Sequence, residues 1–147
     1  MRHAVTRQLP YRAEDLFDLV ADVQSYPAFV PWITGMRTWN SRVDGTGVGW
    51  IDAEVQVGFS VLRERFSTRV RKDRQAQTVD VALLAGPFHH LRNSWHFSGE
   101  GQTTSVAFDI DFAFKSSLLQ TMLTRNFEHA VDRLMGCFEA RAQSLYG

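Results

Sequence analysis

The reactive side chains of the chain fall into a few groups. His89, His90 and His96 lie close together, Asp109 and Asp111 stand two apart, and Cys137 is the single cysteine. Histidines at short spacing suggest a metal ion, paired carboxylates suggest acid–base work, and a cysteine suggests a nucleophile. The surrounding patterns argue against each. Strand rise separates His90 from His96 by about 20 Å, and both share a polar side with Arg92 and Ser94. Asp109 and Asp111 alternate with Val106, Phe108, Ile110, Phe112 and Phe114, so they point outward. Cys137 sits beside an apolar helical stripe with no histidine to activate it. No catalytic residue and no metal site is expected, and one cysteine excludes an internal disulfide.

A second group is basic. Arg63, Arg65, Arg69 and Arg71 share one side of a strand, with Lys72 and Arg74 following. A tight turn near Gly58 to Ser60 would set Glu54 opposite Arg65 and partly neutralise the stripe. The same stripe would suit an anionic lipid surface or ribosomal RNA, and both readings stand. A third group is polar residues on otherwise dry faces. Glu64 and Thr68 alternate with Leu62, Phe66 and Val70, and Asn93 lies between Leu91 and Trp95. A buried polar group needs a partner in the protein, a water, or a ligand.

The elements that position these groups follow from periodicity. Residues 3 to 9 alternate as a strand, and Pro10 ends it. Ala13, Leu16, Phe17 and Val20 follow helical spacing, with Glu14 and Asp15 in the first turn. From about residue 36 to 114 the period is two. Ile51, Ala53, Val55, Val57 and Phe59 face one way, against Asp52, Glu54 and Gln56. Turn residues at 44–49, 72–75, 85–87 and 99–103 imply hairpins and an antiparallel sheet with one dry face. After Ser116 and Ser117 the period becomes 3.6 and stays so, predicting one helix of about 28 residues, some 42 Å long. About seven strands wrapped around that helix would leave an apolar cavity between the layers.

The stretch "YPAFVPW" at 26–32 follows the first helix. Two prolines disfavour regular structure there, and three rings are too apolar for a solvated connector. It is expected to cover the cavity mouth, as a gate or as a plug of the core. Net charge is zero, which gives no global attraction to DNA or to anionic membrane. No apolar run approaches the ~18 residues of a membrane span, and the N-terminus has no signal-peptide core. One domain over residues 1–147 is expected, in a soluble cytoplasmic protein.

"SYPAFVPW", "RERFSTRV", "GPFHHLRNSWHF" and "VAFDIDFAFKSSLLQ", with "CFEARA" near the end, resemble the coenzyme Q-binding protein family over nearly the whole chain. That family is a branch of the START-like, polyketide-cyclase-like superfamily, which includes bacterial ribosome association toxins. The resemblance implies an α+β helix-grip fold, as in birch-pollen-type allergens. It implies no catalytic residue, no cofactor, and binding of ubiquinone or a related polyprenyl lipid in support of respiration. The implied alternatives are a ribosome-associated regulator that opposes subunit association, contacting the ribosome through Arg63, Arg65, Arg69 and Arg71, and a polyketide aromatase or cyclase. The chain begins at its first strand, without the extension of mitochondrial members, which fits a bacterial protein, cytoplasmic or peripheral to the inner membrane. The ligand is expected to meet Tyr26, Phe29, Pro31, Trp32, Phe66, Thr68, Phe88, Leu91, Asn93, Trp95, Phe97, Phe108, Phe112, Met122 and Phe127. Asn93 and Thr68 would donate to the head group, and Trp95 or Trp32 would stack on it. Contact with a membrane would be transient.

Overall fold

The computed structural model describes residues 1–59 and 62–147, with residues 59 and 62 by backbone alone. Seven strands form one antiparallel sheet: β1 (Arg2–Leu9), β2 (Ile33–Val43), β3 (Gly49–Phe59), β4 (Leu62–Asp73), β5 (Thr78–Ala85), β6 (Phe88–Ser98) and β7 (Thr104–Phe114). Their spatial order is β1-β7-β6-β5-β4-β3-β2. Every neighbour except β1 is a hairpin partner, as the turn residues implied. Helix α1 (Ala13–Ala21) and a 3-10 helix (Val23–Ala28) join β1 to β2. Helices α2 (Ser117–Thr124) and α3 (Phe127–Tyr146) end the chain.

The alternation assigns the two faces of the sheet. Ile51, Ala53, Val70, Val79, Trp95, Phe97, Val106, Phe108 and Phe112 are buried on the inner face. Against them pack Leu16, Phe17 and Val20 of α1, and Val131, Met135, Phe138 and Ala142 of α3. The hairpin between β5 and β6 turns at Gly86, whose φ is +154°. A Cβ there would stand 2.5 Å from Cβ of Phe66, so only glycine lets β4 pass this close.

Two expectations about the backbone change. The C-terminal helix is not continuous: it breaks at Arg125 and Asn126, and Asn126 leaves the helical region at φ −128°. The apolar stripe runs through the break, which is why periodicity hides it. Ser116 caps α2, its Oγ accepting from Leu119 N–H. Gln120 Oε1 then accepts from Phe114 N–H at 2.8 Å, tying α2 to the end of β7. The stretch after α1 is not irregular either. It turns as a 3-10 helix with Pro27 inside it.

The outer face carries charge in pairs. Asp52, on the polar side of β3, is only 3% exposed. It accepts two hydrogen bonds from Arg69, at 2.9 and 3.2 Å, and one from Asn40 Nδ2 at 3.1 Å. Asn40 sits in a β2 bulge with φ +57°, which turns its amide onto the carboxylate. The Arg69 guanidinium, ahead of the opposing cost of burial, holds the Asp52 carboxyl below its ordinary value. The register differs from the expected one: Glu54 faces Ser67, and Arg65 faces Gln56. Glu54 still lies 3.8 Å from Arg65, on the diagonal, and 3.6 Å from Arg37. Arg71 reaches Asp73 and Asp80. The stripe is therefore partly neutralised, as one reading had it; Ser60 of the expected turn lies outside the described residues.

Asp52→Asn should cost about 1–3 kcal/mol of stability, the worth of charge-assisted hydrogen bonds to a buried acceptor. Because the native pKa is depressed, that contribution is complete above the unfolded carboxylate value and is lost as pH falls through the native one. Chemical denaturation of both proteins at pH 7 and at about pH 2 tests this: the gap should be present at the first and shrink at the second. A constant gap would mean packing, not charge, is the cause.

Candidate functional site

The inner face is not covered evenly. At one end Trp95 stacks on Phe97 and meets Phe108 and Phe138, with centroids 4.6 and 4.8 Å away. Phe17 closes on Phe97 from α1. This end is packed solid. Toward the other end, Phe66 of β4, Val81 and Leu83 of β5 and Ile110 of β7 hold inward positions yet remain half-buried. So do Leu119 and Leu123 of α2 and Leu134 of α3. Apolar side chains left partly open mark a shallow, incompletely covered trough along this part of the inner face.

Asn93 stands in the middle of that trough. Sheet register puts it between Val81 on one side and Ile110 on the other. Its carboxamide oxygen is shut off from solvent and has no hydrogen-bond partner among the described residues. Such an orphan is uncommon because it forfeits hydration for nothing. Thr68 lies across from Leu83 and is buried, but its hydroxyl donates to Ala53 O at 3.2 Å. Its proton is thus committed to the sheet, unlike the Asn93 oxygen, which has no partner among the described residues. Glu64 faces inward opposite Val57 and is half-buried.

The expected ligand residues separate into three sets. Phe66, Thr68, Phe88, Leu91, Asn93, Phe112 and Phe127 come together: Phe88 meets Phe66 at 5.2 Å and Phe112 at 6.3 Å, and Phe112 meets Phe127 at 4.9 Å. Trp95, Phe97 and Phe108 belong to the solid end. Met122 does not face the interior at all. It is 45% exposed, on the outer side of α2 with Leu118, because α2 turns away at the break. Val81, Leu83, Ile110, Leu119 and Leu123 were legible only as members of an apolar face; partial exposure, their distinguishing property, leaves no mark in a hydropathy pattern.

The 26–32 segment is divided in the same way. Tyr26 donates its hydroxyl to Val20 O, and its ring meets Phe29 and Phe138 edge-on. Burial pushes the Tyr26 phenol well above its ordinary value. Val30 is fully buried, and Trp32 O accepts from Gly58 N–H. These contacts anchor the inner side of the segment. Its outer side remains half-open: Pro31 is exposed, and Phe29 and Trp32 lie under Arg141 and Arg133. Burial raises the Cys137 thiol, against the small opposing effect of Arg133, which suits a packed residue and not a nucleophile. His90 and His96 point outward as expected, and His90 pairs with Asp111 at 3.0 Å. Among the described residues no helix is long and apolar enough to cross a membrane.

Comparison with known proteins agrees with this fold. Residues 9–139 match the family described as polyketide cyclase / dehydrase and lipid transport. The ribosome association toxin RatA of Pseudomonas aeruginosa is 34% identical over 95% of this chain and 93% of its own. The mitochondrial coenzyme Q-binding protein COQ10 homolog B of Xenopus laevis is 30% identical over the whole chain, which spans 60% of that protein's length. The solution structure of the 18 kDa protein CC1736 from Caulobacter crescentus is 60% identical, with a TM-score of 0.83 over 100% of this chain and 99% of that one. A START superfamily protein from Mycobacterium smegmatis shares the fold at 20% identity, with a TM-score of 0.80 over 98% of each chain. The resemblance seen in the motifs is borne out: the chain has a START-like fold and belongs to the polyketide cyclase / dehydrase and lipid transport family.

Proposed function

We propose that the protein binds ubiquinone or a related polyprenyl quinone in the trough and carries it, without catalysing a reaction. The observation behind this reading is the orphaned Asn93 oxygen in the middle of an incompletely covered apolar face. An isoprenoid tail is hydrocarbon, worth ~0.8 kcal/mol for each buried CH₂, and it suits Val81, Leu83, Ile110, Leu119 and Leu123. The head carries oxygens at its ends. A carboxamide offers an acceptor or, turned by half a rotation, two donors. Asn93 can therefore meet a quinone carbonyl with its NH₂ or a quinol hydroxyl with its oxygen. Phe66, Phe88 and Phe112 supply the flat apolar surroundings such a ring packs against. The coenzyme Q-binding name of one relative supports the choice of quinone.

A role at the ribosome is the second reading, favoured by the names of relatives that match this chain over nearly their full length. The arginine stripe gives it limited support, because Arg65, Arg69 and Arg71 already have acidic neighbours. A cyclase would require acid–base groups facing the trough, and among these inward positions Glu64 is the carboxyl.

Asn93→Leu separates ligand binding from folding. Removing an unpaired buried acceptor should raise stability by about 1–3 kcal/mol. The same change should weaken binding of a short-tailed ubiquinone analogue by about tenfold or more, since the head loses its hydrogen bond. Thermal unfolding and a fluorescence titration read the two effects; a destabilised variant with unaltered affinity would overturn the assignment.

A further experiment addresses the ribosome. The quinone reading expects the wild-type protein to remain in the supernatant when ribosomal subunits are sedimented at physiological salt. Co-sedimentation that is abolished by Arg63→Gln with Arg65→Gln would favour the second reading.

A further inference from the structure

Helix α2 has eight residues, is about 12 Å long, and carries more apolar surface than the trough takes up. At about 100° per residue, Leu118, Met122, Leu119 and Leu123 follow one another round its axis over about 140°. Leu119 and Leu123 pack against the core. Leu118 is 69% exposed and Met122 45%. The apolar arc is thus half inside the protein and half outside it. The polar arc is occupied within the protein. Thr121 Oγ1 donates to Ser117 O at 2.9 Å, Thr124 Oγ1 donates to Gln120 O at 2.6 Å, and Gln120 Oε1 accepts from Phe114 N–H.

We infer that the outer flank of α2 is the surface by which the protein docks on an anionic bilayer, with Leu118 and Met122 entering the boundary of the acyl chains. Cations stand at both ends of the helix. Arg125 keeps helical dihedrals, φ −64° and ψ −29°, which sets it within about 20° of Leu118 round the axis, on the same flank. Lys115 precedes the Ser116 cap at the other end. Both are exposed. From 112 to 127 the sequence has no acidic residue. Of the acids that border this stretch, Asp111 is turned to His90 at 3.0 Å, and Glu128 opens α3, where the helix dipole favours it. A lysine and an arginine framing two open apolar side chains suit an interfacial helix, with the cations at the phosphates and the apolar flank just beneath.

Other occupants fit this flank less well. Two side chains offer far less than the roughly 800 Å² that each partner gives to a stable protein interface, so a second copy of the chain gains little here. A nucleic acid would meet the cations and leave Leu118 and Met122 in water. The apolar arc gives the docking a use. It runs unbroken from the bilayer flank to Leu119 and Leu123 at the trough, so a polyprenyl tail passes round the helix without crossing a polar side chain. That use rests on the quinone reading; the docking itself does not.

Flotation with vesicles tests it. The wild-type protein should bind phosphatidylcholine vesicles containing one-third phosphatidylglycerol, and binding to pure phosphatidylcholine should be much weaker. Leu118→Gln with Met122→Gln should reduce binding to the mixed vesicles by about tenfold or more. Lys115→Gln with Arg125→Gln should reduce it by about 30-fold, the worth of two cations at a charged surface. All four side chains are exposed, so thermal unfolding and affinity for a short-tailed ubiquinone in solution should be unchanged in both variants. Full vesicle binding by either variant, or equal binding of the wild type to both vesicle types, would overturn the inference. So would a wild-type protein that ignores vesicles and instead forms a dimer that the Leu118 and Met122 variant loses. Failure of the wild type to bind quinone, with vesicle binding intact, would count against the quinone reading and leave the docking surface standing.

Discussion

One helix has to cover most of a seven-stranded sheet, and the rest of the structure depends on that mismatch. Six inter-strand spacings make the sheet about 29 Å wide, and strands of eleven residues make it about 36 Å long. Helix α3, of twenty residues, is about 30 Å long and about 10 Å across. Bending the sheet around the helix brings more of it into contact but does not close the whole face. At the end beneath α1, aromatic bulk fills the difference: Trp95, Phe97, Phe108, Phe138, Tyr26 and Phe17 meet ring to ring. At the other end Val81, Leu83, Ile110, Leu119 and Leu123 lie beside Phe66, Phe88 and Phe112, and those five aliphatic residues remain half-buried.

Polar groups of the inner face differ in how they are matched. Thr68 is satisfied by the Ala53 carbonyl. The Asn93 oxygen has no match among the described residues. A residue that lowers stability and has an obvious apolar replacement suggests a demand other than folding. The outer face follows a different rule. Its arginines meet Asp52, Glu54, Asp73 and Asp80 across and along the strands, so a run that reads as strongly basic is partly neutralised in space. Arginines lie over aromatic rings both on the sheet, as Arg71 does over Trp50, and at α3, as Arg141 does over Phe29.

Much of the fold was legible because alternation and helical spacing are direct consequences of which side is wet. The hairpins announced themselves by turn residues, and the inward set from Val70 to Phe112 could be written down from the sequence. What was not legible has identifiable causes. The break at Arg125 and Asn126 lies inside an unbroken apolar stripe, because Leu123 and Phe127 both contact the core while the axis between them changes direction. Met122 was misplaced as a result. Asp52 looked like surface because its partner Arg69 is seventeen residues further along and its second partner depends on a bulge at Asn40. The expected pairing of Glu54 with Arg65 shifted to the diagonal because the β3–β4 register sets Glu54 against Ser67 and Arg65 against Gln56. For the candidate site, residue type identified Asn93 as odd, but its lack of a partner is a three-dimensional fact.

The central claim is that the partly open trough around Asn93 is where a quinone lies. Titrating a ¹⁵N-labelled protein with a short-tailed ubiquinone, followed by amide chemical shifts, tests it most directly. The account predicts that the largest changes fall on Val81, Leu83, Asn93, Ile110, Leu119 and Leu123, together with the Asn93 side-chain amide, while Asp52, Arg69 and Arg71 on the outer face stay still. Changes centred on the outer face, or no saturable change at all, would contradict it.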